Sequence, residues 1–417
     1  MRPLPSLRQN RDFLKLWTAQ TVSYFGSMFG ALGLTALVFL DATPGQMGIL
    51  AMAQGLPVLL FALVAGVYID RLPRRPVLIV ADVGRFAVLL SVPTAAAFDE
   101  LGMPQLYAVA FVVGALELAF NLAYRSYLPA LVSREQLLAA NARLAATESV
   151  AETGSPAFGG FVVQAAGGPV AVLLDAVTFL FSGLFVAAIR KPEPPQVRVK
   201  RSVAAEAREG IAAVRHSPIL RALTGAKGTT SFFGNFIGAL YGVFLINELG
   251  LSPLAMGITI GAGGLGSVFG SWLIGPLSRR IGFGLTMLIS SGGFYAWLIP
   301  LAGGPVELAF AMIVISQLCG DPFWTMYEIG SVSLRQAVTS DEMLGRVSST
   351  MHLVEAGLAP IGALTAGLLA EVIGVRETLA IAAAGVSAAA LWVLFSPIPR
   401  LKEPPALGQA ALQPDSR

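Results

Sequence analysis

The main pattern in the chain is a series of apolar stretches, each about 20 residues long, separated by short polar segments. A helix of that length crosses about 30 Å of hydrocarbon, and helices satisfy their own backbone hydrogen bonds in lipid. The alternation expected of membrane β-strands does not occur. We predict twelve membrane-spanning helices, over residues 13–40, 46–69, 76–98, 105–126, 142–166, 169–189, 221–249, 253–277, 282–302, 306–330, 345–373 and 376–397.

The composition is that of an integral membrane protein, with 55% hydrophobic and only 13% charged residues. If the amino terminus is cytoplasmic, Arg376 is the only one of 28 lysines and arginines in an outer loop. The net charge of +3 is then a topology signal and needs no nucleic-acid partner. We predict a multi-pass protein of the inner (cytoplasmic) membrane, surrounded by lipid, with both termini in the cytoplasm and no cleavable signal peptide.

Similar strings occur in the two halves of the chain. SYFGSMFGAL (residues 23–32) and SFFGNFIGAL (residues 231–240) share six of ten positions at an offset of 208. TPGQMGIL (residues 43–50) and SPLAMGIT (residues 252–259) follow at an offset of 209. Matched positions at an offset of 203 are Arg143, Glu152 and Gly154 with Arg346, Glu355 and Gly357.

Each copy holds six spans, so both copies enter the membrane from the same side as parallel repeats, an arrangement typical of secondary transporters. The predicted units are an amino-terminal bundle (1–189), a cytoplasmic linker (190–220), a carboxy-terminal bundle (221–397) and a cytoplasmic tail (398–417). In the linker we predict an amphipathic helix on the membrane surface. Its apolar face comprises Val203, Ala207, Ile211 and Val214.

The loop after the second span reads GVYIDRLPRRP (residues 66–76) and resembles the signature loop of the major facilitator superfamily, with Pro73 where that family usually has glycine. The resemblance implies an all-α fold of two parallel six-helix bundles. It also implies a latch on the cytoplasmic side, where an aspartate meets the amino-terminal end of the helix beginning near residues 341–345. The alternative is that the arginines only mark the cytoplasmic side. The latch positions are Gly66, Asp70, Arg71, Arg74 and Arg75.

A second string, AETGSPAFGGF (residues 151–161), resembles the Gly-Pro-x-x-Gly-Gly element of the superfamily's exporters, with Ser155 in place of one glycine. Residues 127–144 and 209–223 resemble the macrolide-efflux and enterobactin-exporter branch, which implies proton-coupled export. The alternative is ordinary close packing of a bent helix. The exporter-type positions are Gly154, Pro156, Gly159 and Gly160.

Seven acidic residues fall within the predicted spans, and each would cost about 2.5–3.5 kcal/mol if it faced lipid at the bilayer centre. They must therefore face protein or water, or hold protons. The seven are Glu117, Glu148, Glu152, Asp175, Asp321, Glu328 and Glu355.

The fourth and tenth spans carry polar residues at i, i+4 and i+7, which places each set on one helix face. The sets, at an offset of 204, are Glu117, Asn121 and Tyr124, and Asp321, Thr325 and Glu328. In the superfamily these helices line the central cavity, so the resemblance implies that these residues couple protons or bind substrate. Glu117 lies about 18 Å along its span, near the midplane. The alternative is a buried pair with an arginine or a tyrosine hydroxyl.

The other charges are predicted to form a structural network. Glu148 and Glu152 are at i, i+4 on the fifth span. The repeat mates Glu152 and Glu355 are expected to have a symmetric structural role and to pair with Arg143, Arg346 or Arg85. We predict a structural role for Asp175. Asp82 and Arg85 are expected to belong to the latch network, and the Lys227 side chain is expected to extend to the cytoplasm.

Three remaining features bear on function. GAGGLG (residues 261–266) fits a dinucleotide fingerprint, but it lies in an apolar span and is better explained by helix packing. Cys319 has no second cysteine to pair with, and two histidines, His216 and His352, make a histidine-rich metal site unfavourable. We expect no metal and no cofactor. Aromatic residues that could line a cavity for a large guest, or else simply pack, are Phe25, Phe233, Phe236, Tyr241, Trp324 and Tyr327.

The leading hypothesis is a monomeric secondary transporter that exports small amphipathic molecules, drug-like or siderophore-like, in exchange for protons. One alternative is an importer of a small nutrient on the same fold. Another is a membrane receptor that binds ligand without transport. An enzyme is the least favoured, because the sequence carries no Walker loop, catalytic triad or metal cluster.

Overall fold

The computed structural model describes residues 7–27, 30–69, 72–193 and 203–403, and every regular element in them is helical. The predicted all-α class is confirmed. The α-helices are α1 (Arg11–Ser27), α2 (Ala31–Leu34), α3 (Pro44–Ile69), α4 (Arg74–Ala97), α5 (Met103–Leu131), α6 (Leu137–Ala166), α7 (Gly168–Ala187), α8 (Val203–His216), α9 (Pro218–Val243), α10 (Pro253–Ile281), α11 (Phe283–Ser291), α12 (Leu298–Leu301), α13 (Val306–Val338), α14 (Asp341–Ile373) and α15 (Val375–Leu394).

Within the described ranges, eleven helical stretches are long and apolar enough to cross a membrane. They correspond to eleven of the twelve predicted spans. The remaining span is α6, which at 30 residues has the necessary length but is less apolar. Glu148 and Glu152 lie near the middle of this helix, and Gly154, Gly159 and Gly160 follow them toward its carboxyl end.

Two predicted spans are interrupted at glycines. Gly30, with φ 59°, precedes α2, and Gly293, with φ 57°, precedes a short 3-10 segment (Phe294–Trp297) and α12. This left-handed conformation strains residues that carry a Cβ, and glycine adopts it readily. The apolar pattern continues across Gly293, which is why residues 282–302 read as one unbroken helix.

The sequence repeat is also a structural repeat. The first predicted span ends in a π-helical turn at Thr35–Phe39, and the seventh ends in another at Phe244–Glu248. These turns occupy matching positions of the two copies, just before the paired strings TPGQMGIL and SPLAMGIT. The two copies therefore share the positions of these helix ends as well as part of their sequence.

The chain divides into two compact units. Unit 1 comprises Met1–Val199 and Leu251–Gly261, and unit 2 comprises Lys200–Gly250 and Ala262–Arg417. The division assigns the first turns of α10 to unit 1. The predicted boundaries at residues 189, 220 and 397 remain predictions.

Unit 1 is built on the packing of α4 against α5 and α7, of α3 against α5, and of α1 against α7. Phe13, Leu16 and Leu78 are fully buried in its core, with Tyr127 1% exposed. The segment after α7 is tied to this core by polar contacts. Glu193 accepts backbone N–H bonds from Arg74 and Arg75 at 2.8 and 2.7 Å, so its carboxylate caps the amino terminus of α4.

In unit 2, α9 packs against α14 and α15, and α8 lies on α14. Glu209 of α8 forms an ion pair with Arg346, and Gly210 lies against the Arg346 backbone. The predicted surface helix is thus present, but it is docked on α14. Of its predicted apolar face, Val214 is buried while Ile211 is exposed.

The exporter-type glycines bring α6 close to the first turns of α10 within unit 1. A Cβ on Gly160 would overlap the Pro253 carbonyl, and one on Gly257 would overlap the Pro156 carbonyl. Further along α10, Gly263 and Gly266 of the GAGGLG string lie against Asp321 and Pro322 of α13. The prediction that this string serves helix packing is confirmed.

These contacts predict opposite effects for two glycines of α6. Gly160→Ala should lower the free energy of unfolding by about 1–3 kcal/mol, because the added methyl group meets backbone atoms. Gly154→Ala is the matched control: no described atom lies within 4 Å of the position that its new methyl group would take, and alanine favours helix by about 1 kcal/mol. Denaturant titration of the purified protein in mild detergent measures both. Equal stability of the two variants would contradict the close contact.

Candidate functional site

Unit 2 contains a cluster of charged side chains from three helices, which we call the lysine cluster: Lys227, Glu328, Glu355 and His352. Lys227 of α9 donates to both carboxylate oxygens of Glu328 of α13, at 2.8 and 3.0 Å. Its Nζ lies 3.4 Å from Glu355 of α14, and His352 lies 3.7 Å from the other oxygen of Glu355. The Lys227 side chain is only 16% exposed, so its charge depends on these acids.

The lysine cluster bears on the expectations for Lys227 and Glu328. Lys227 does not extend to the cytoplasm, because its ammonium is held between two acids of its own unit. For Glu328, the ionic partner is this lysine and not an arginine or a tyrosine. With histidine neutral, one cation faces two carboxylates, which leaves the cluster with a net charge of −1.

The matched positions of unit 1 form a different cluster on the same helical framework. The repeat mates of Lys227, Glu328 and Glu355 are Ala19, Tyr124 and Glu152. Tyr124 interacts with Gln20 and Tyr24 of α1 and with Glu148 of α6. Tyr24 in turn interacts with Glu148, Glu152 and Arg125. Corresponding helix faces therefore meet in both units, but only unit 2 has a lysine at this position.

The two predicted coupling acids outside these clusters have different surroundings. Glu117 and Asn121 are exposed on α5, and Tyr124, on the same face, is only partly exposed and stacks on Phe120 with ring centroids 6.1 Å apart. Asp321 of α13 is partly exposed and lies against Gly263 of α10 and near Tyr295. Both acids are thus accessible at the surface of their unit, Glu117 more than Asp321.

Asp82 and Arg85 of α4 form a buried ion pair in unit 1. Arg85 Nη2 donates to Asp82 Oδ1 at 2.5 Å, and Ser182 of α7 donates to Asp82 Oδ2 at 2.7 Å. The guanidinium lies 4.6 Å from the Phe120 ring centroid and 4.1 Å from that of Phe179. The described partners of this pair lie on α5 and α7, and its membership of the latch network remains a prediction, since Asp70 and Arg71 lie outside the described residues.

The predicted pairing of the α6 and α14 acids with arginines is wrong. Arg85 pairs with Asp82, and Arg346 pairs with Glu209. Arg143 lies over the Trp17 ring, with 5.7 Å between its Cζ and the ring centroid. Each arginine therefore has another partner. Glu355 pairs instead with Lys227 and lies near His352, whereas Glu148 and Glu152 are close enough to Tyr24 for a long-range electrostatic interaction.

The latch positions are described only in part. Gly66 lies in α3, whereas Asp70 and Arg71 lie outside the described residues. Arg75 donates to the backbone carbonyls of Val186 and Ala187, which caps the carboxyl end of α7 within unit 1. The role of Arg74 and its neighbours in a latch remains a prediction.

Several predicted cavity aromatics are packing residues. Phe236, Tyr241 and Tyr327 are buried inside unit 2, and Phe233 packs on Gly385 and on Phe236. Phe25 and Trp324 are at least partly exposed and remain candidates for ligand contact. Among the described side chains, no group of three or more His, Cys, Asp and Glu is placed to hold a metal ion.

Three functional side chains were missed or misjudged from sequence: Lys227, Ser182 and Glu193. A lysine within an apolar span has a high cost unless it is paired, and three acids of unit 2 were available for it. That signal could have identified Lys227. Ser182 and Glu193 act through contacts about 100 residues away or more in sequence, and their local sequence gives no sign of them.

Comparison with known proteins identifies the family. The sequence profile of the Major Facilitator Superfamily matches residues 16–359. The chain belongs to this superfamily. It is therefore a multi-pass membrane transporter of small molecules and not an enzyme, as predicted.

Individual relatives agree with this assignment. The chain is 26% identical to macrolide efflux protein A of Streptococcus pyogenes over 380 residues, which cover 88% of this chain and 91% of that protein. It is 25% identical to multidrug efflux pump Tap of Mycolicibacterium fortuitum over 369 residues, which cover 85% of this chain and 87% of that protein.

Solved structures share the fold. A structure of a bacterial homologue of ferroportin, 16% identical, superposes with a TM-score of 0.74 and covers 94% of this chain and 99% of that one. A mutant of the nucleoside transporter NupG, 13% identical, gives a TM-score of 0.75 with 93% and 99% covered. The two structures share the fold.

The lysine cluster predicts strong coupling between Lys227 and Glu328. Lys227→Met should lower the free energy of unfolding by about 2 kcal/mol, because it leaves two adjacent, partly buried carboxylates without their cation. Adding Glu328→Gln should recover about 1 kcal/mol or more of that loss. A double-mutant cycle by denaturant titration measures this coupling, with exposed Glu342→Gln in place of Glu328→Gln as the control. Additive effects of Lys227→Met and Glu328→Gln would show that the pair is not formed.

Proposed function

We propose that this chain exports small amphipathic molecules from the cytoplasm in exchange for protons, by alternating access. The observation that carries the proposal is the similarity to efflux proteins over more than four-fifths of both chains. The exporter-type positions of α6 add support, because Pro156 and Gly160 lie where the backbones of α6 and α10 are in close contact. The relatives' names suggest macrolides and other drug-like molecules as the first compounds to test.

In this proposal the charged residues have separate roles in proton and substrate binding. Glu117, which is exposed, and Asp321, which is partly exposed, exchange protons with water or meet the polar part of the substrate. In the lysine cluster, Glu355 is the acid held at the longer distance from Lys227, 3.4 Å. It is therefore the carboxylate of the cluster that we assign to a cationic group of the substrate.

The proposed arrangement of the protein follows from its topology. The protein is a monomer in the inner membrane, with both termini in the cytoplasm. Its two six-span halves, residues 1–189 and 221–397, move relative to each other during transport. In the outward-open state, Asp70, Arg71, Arg74 and Arg75 latch the cytoplasmic side. Proton entry along the gradient supplies the energy, to which the membrane potential adds about 2.3 kcal/mol per charge per 100 mV.

The experiment uses liposomes that contain the purified protein and an internal pH-sensitive dye. Macrolides, tetracyclines, lipophilic cations and catecholate siderophores are added one at a time. We expect at least one class to drive proton movement opposite to its own. Glu117→Gln and Asp321→Asn should each reduce this movement by about tenfold or more, which corresponds to about 1.4 kcal/mol. Glu100→Gln, at an exposed loop position, should leave it unchanged.

The direction of coupling decides between the proposal and its alternatives. Proton movement in the same direction as the substrate would overturn export by antiport and favour an importer. Saturable ligand binding with no flux of substrate or protons would favour a receptor. Full activity of the Glu117→Gln variant would remove that residue from the mechanism and leave Asp321 as the remaining exposed candidate.

A further inference from the structure

A third acid lies beside the buried pair of unit 1. Asp175 of α7 precedes Phe179 by four residues and Ser182 by seven, so the three side chains share one helix face. Phe179 and Ser182 contact Arg85 and Asp82, and Asp175 extends this face by one turn. Asp175 is 9% exposed, and the exposures of Asp82 and Arg85 are 0% and 4%.

The packing around Asp175 is specific to unit 1. A Cβ on Gly26 of α1 would meet Asp175 Oδ1 at 2.7 Å and would overlap the Thr178 hydroxyl. Gly26 belongs to the repeated string SYFGSMFGAL, but its mate Gly234 has no such described neighbour within 4 Å. In unit 1, the missing side chain at Gly26 therefore makes room for the acid of α7.

Both Asp175 and Arg85 have an unused polar atom. Asp175 Oδ1 and Arg85 Nε are buried, and neither has a hydrogen-bond partner among the described residues. The charged groups coupled to Asp175 from the described helices around it are Arg85 of α4 and Glu117 of α5, while Arg85 is coupled to Asp82, Asp175 and Glu117. The helix α1 presents Gly26 to this carboxyl, and its described residues contribute no charge there.

The charges of this buried group do not balance. Two buried carboxyls, Asp82 and Asp175, lie near one buried guanidinium, so these three groups would carry a net charge of −1 if fully ionised; Glu117 is exposed and is not counted among them. An unpaired charge in an apolar interior costs several kcal/mol and is normally removed by protonation. Asp82 is held as a carboxylate by Arg85 and Ser182, which leaves Asp175 as the group that takes the proton.

We propose that Asp175, Asp82 and Arg85 form a proton-binding site inside unit 1, with the proton held on Asp175. When the proton leaves, the Asp175 carboxylate competes with Asp82 for Arg85, whose Nε is free to donate to the new partner. The exchange would change the contact between α4 and α7. The claim that this site couples protons to transport rests on the proposed function. The claim that it binds a proton does not.

Infrared difference spectroscopy of the full chain in lipid nanodiscs, without substrate, tests the site directly. A protonated carboxylic acid gives a C=O band that a carboxylate lacks. We expect this band in the wild-type protein at neutral pH, its loss in Asp175→Asn, and its retention in Asp41→Asn, which changes an outer-loop residue. Asp175→Glu should shift the band without removing it, and it serves as the second variant if Asp175→Asn does not fold.

The charge count makes a sharper prediction for Asp82→Asn. That variant leaves one carboxyl and one guanidinium, which balance without a proton, so the band assigned to Asp175 should disappear although Asp175 is unchanged. A purely structural Asp175 would give no such effect. A band that survives in either Asp175→Asn or Asp82→Asn, or a wild-type protein with no band at neutral pH, would overturn the site.

Transport in liposomes then separates the site from the proposed function. We expect Asp175→Asn to exchange substrate down its gradient at a rate within about twofold of wild type, and to lose accumulation driven by a pH gradient. If wild-type transport does not depend on the pH gradient but the expected infrared bands are observed, proton antiport is overturned and the proton site is supported. Undiminished pH-driven accumulation by Asp175→Asn would overturn the coupling role.

Discussion

The cost of placing charge in an apolar interior constrains this protein more than any other interaction. An ionised side chain in a membrane helix needs an opposite charge, water or a proton, since lipid offers no compensation. In unit 2 this requirement joins α9, α13 and α14 through Lys227 and two glutamates. In unit 1 it joins α4, α5 and α7 around Arg85, which lies between two phenylalanine rings and binds Asp82. In both cases acids outnumber the cation, and the excess is where proton or substrate binding is expected.

The repeated sequence provides a common framework that the two halves use differently. Equivalent helices end in the same π-helical turns, and equivalent faces meet in both units. The chemistry on these faces has diverged: Lys227 stands opposite Ala19 in the repeat, and Glu328 opposite Tyr124. The glycine shared at positions 26 and 234 makes room for Asp175 in unit 1 and has open space in unit 2. A duplicated scaffold thus supports one ionic cluster in unit 2 and a separate buried pair in unit 1.

Features set by helix-length apolar stretches were predictable from the sequence, whereas partners across helices were not. The class, eleven of the twelve span positions and the packing role of GAGGLG follow from local pattern and are confirmed. The break at Gly293 was missed because hydrophobicity alone does not reveal a left-handed residue. The acids were located correctly, but their partners were not: the arginines expected to neutralise them are bound elsewhere, and Lys227 was assigned to the cytoplasm. Pairing depends on helix rotation and on contacts about 100 residues apart, which one sequence does not specify.

In the proposed mechanism, substrate and proton compete for the same excess of negative charge. The most direct test is to count the protons released when a lipophilic cation such as tetraphenylphosphonium binds the purified protein in weakly buffered solution. We expect release of about one proton for each cation bound, because cation binding removes the excess negative charge that holds the proton. Saturable binding of the cation with no proton release would contradict it.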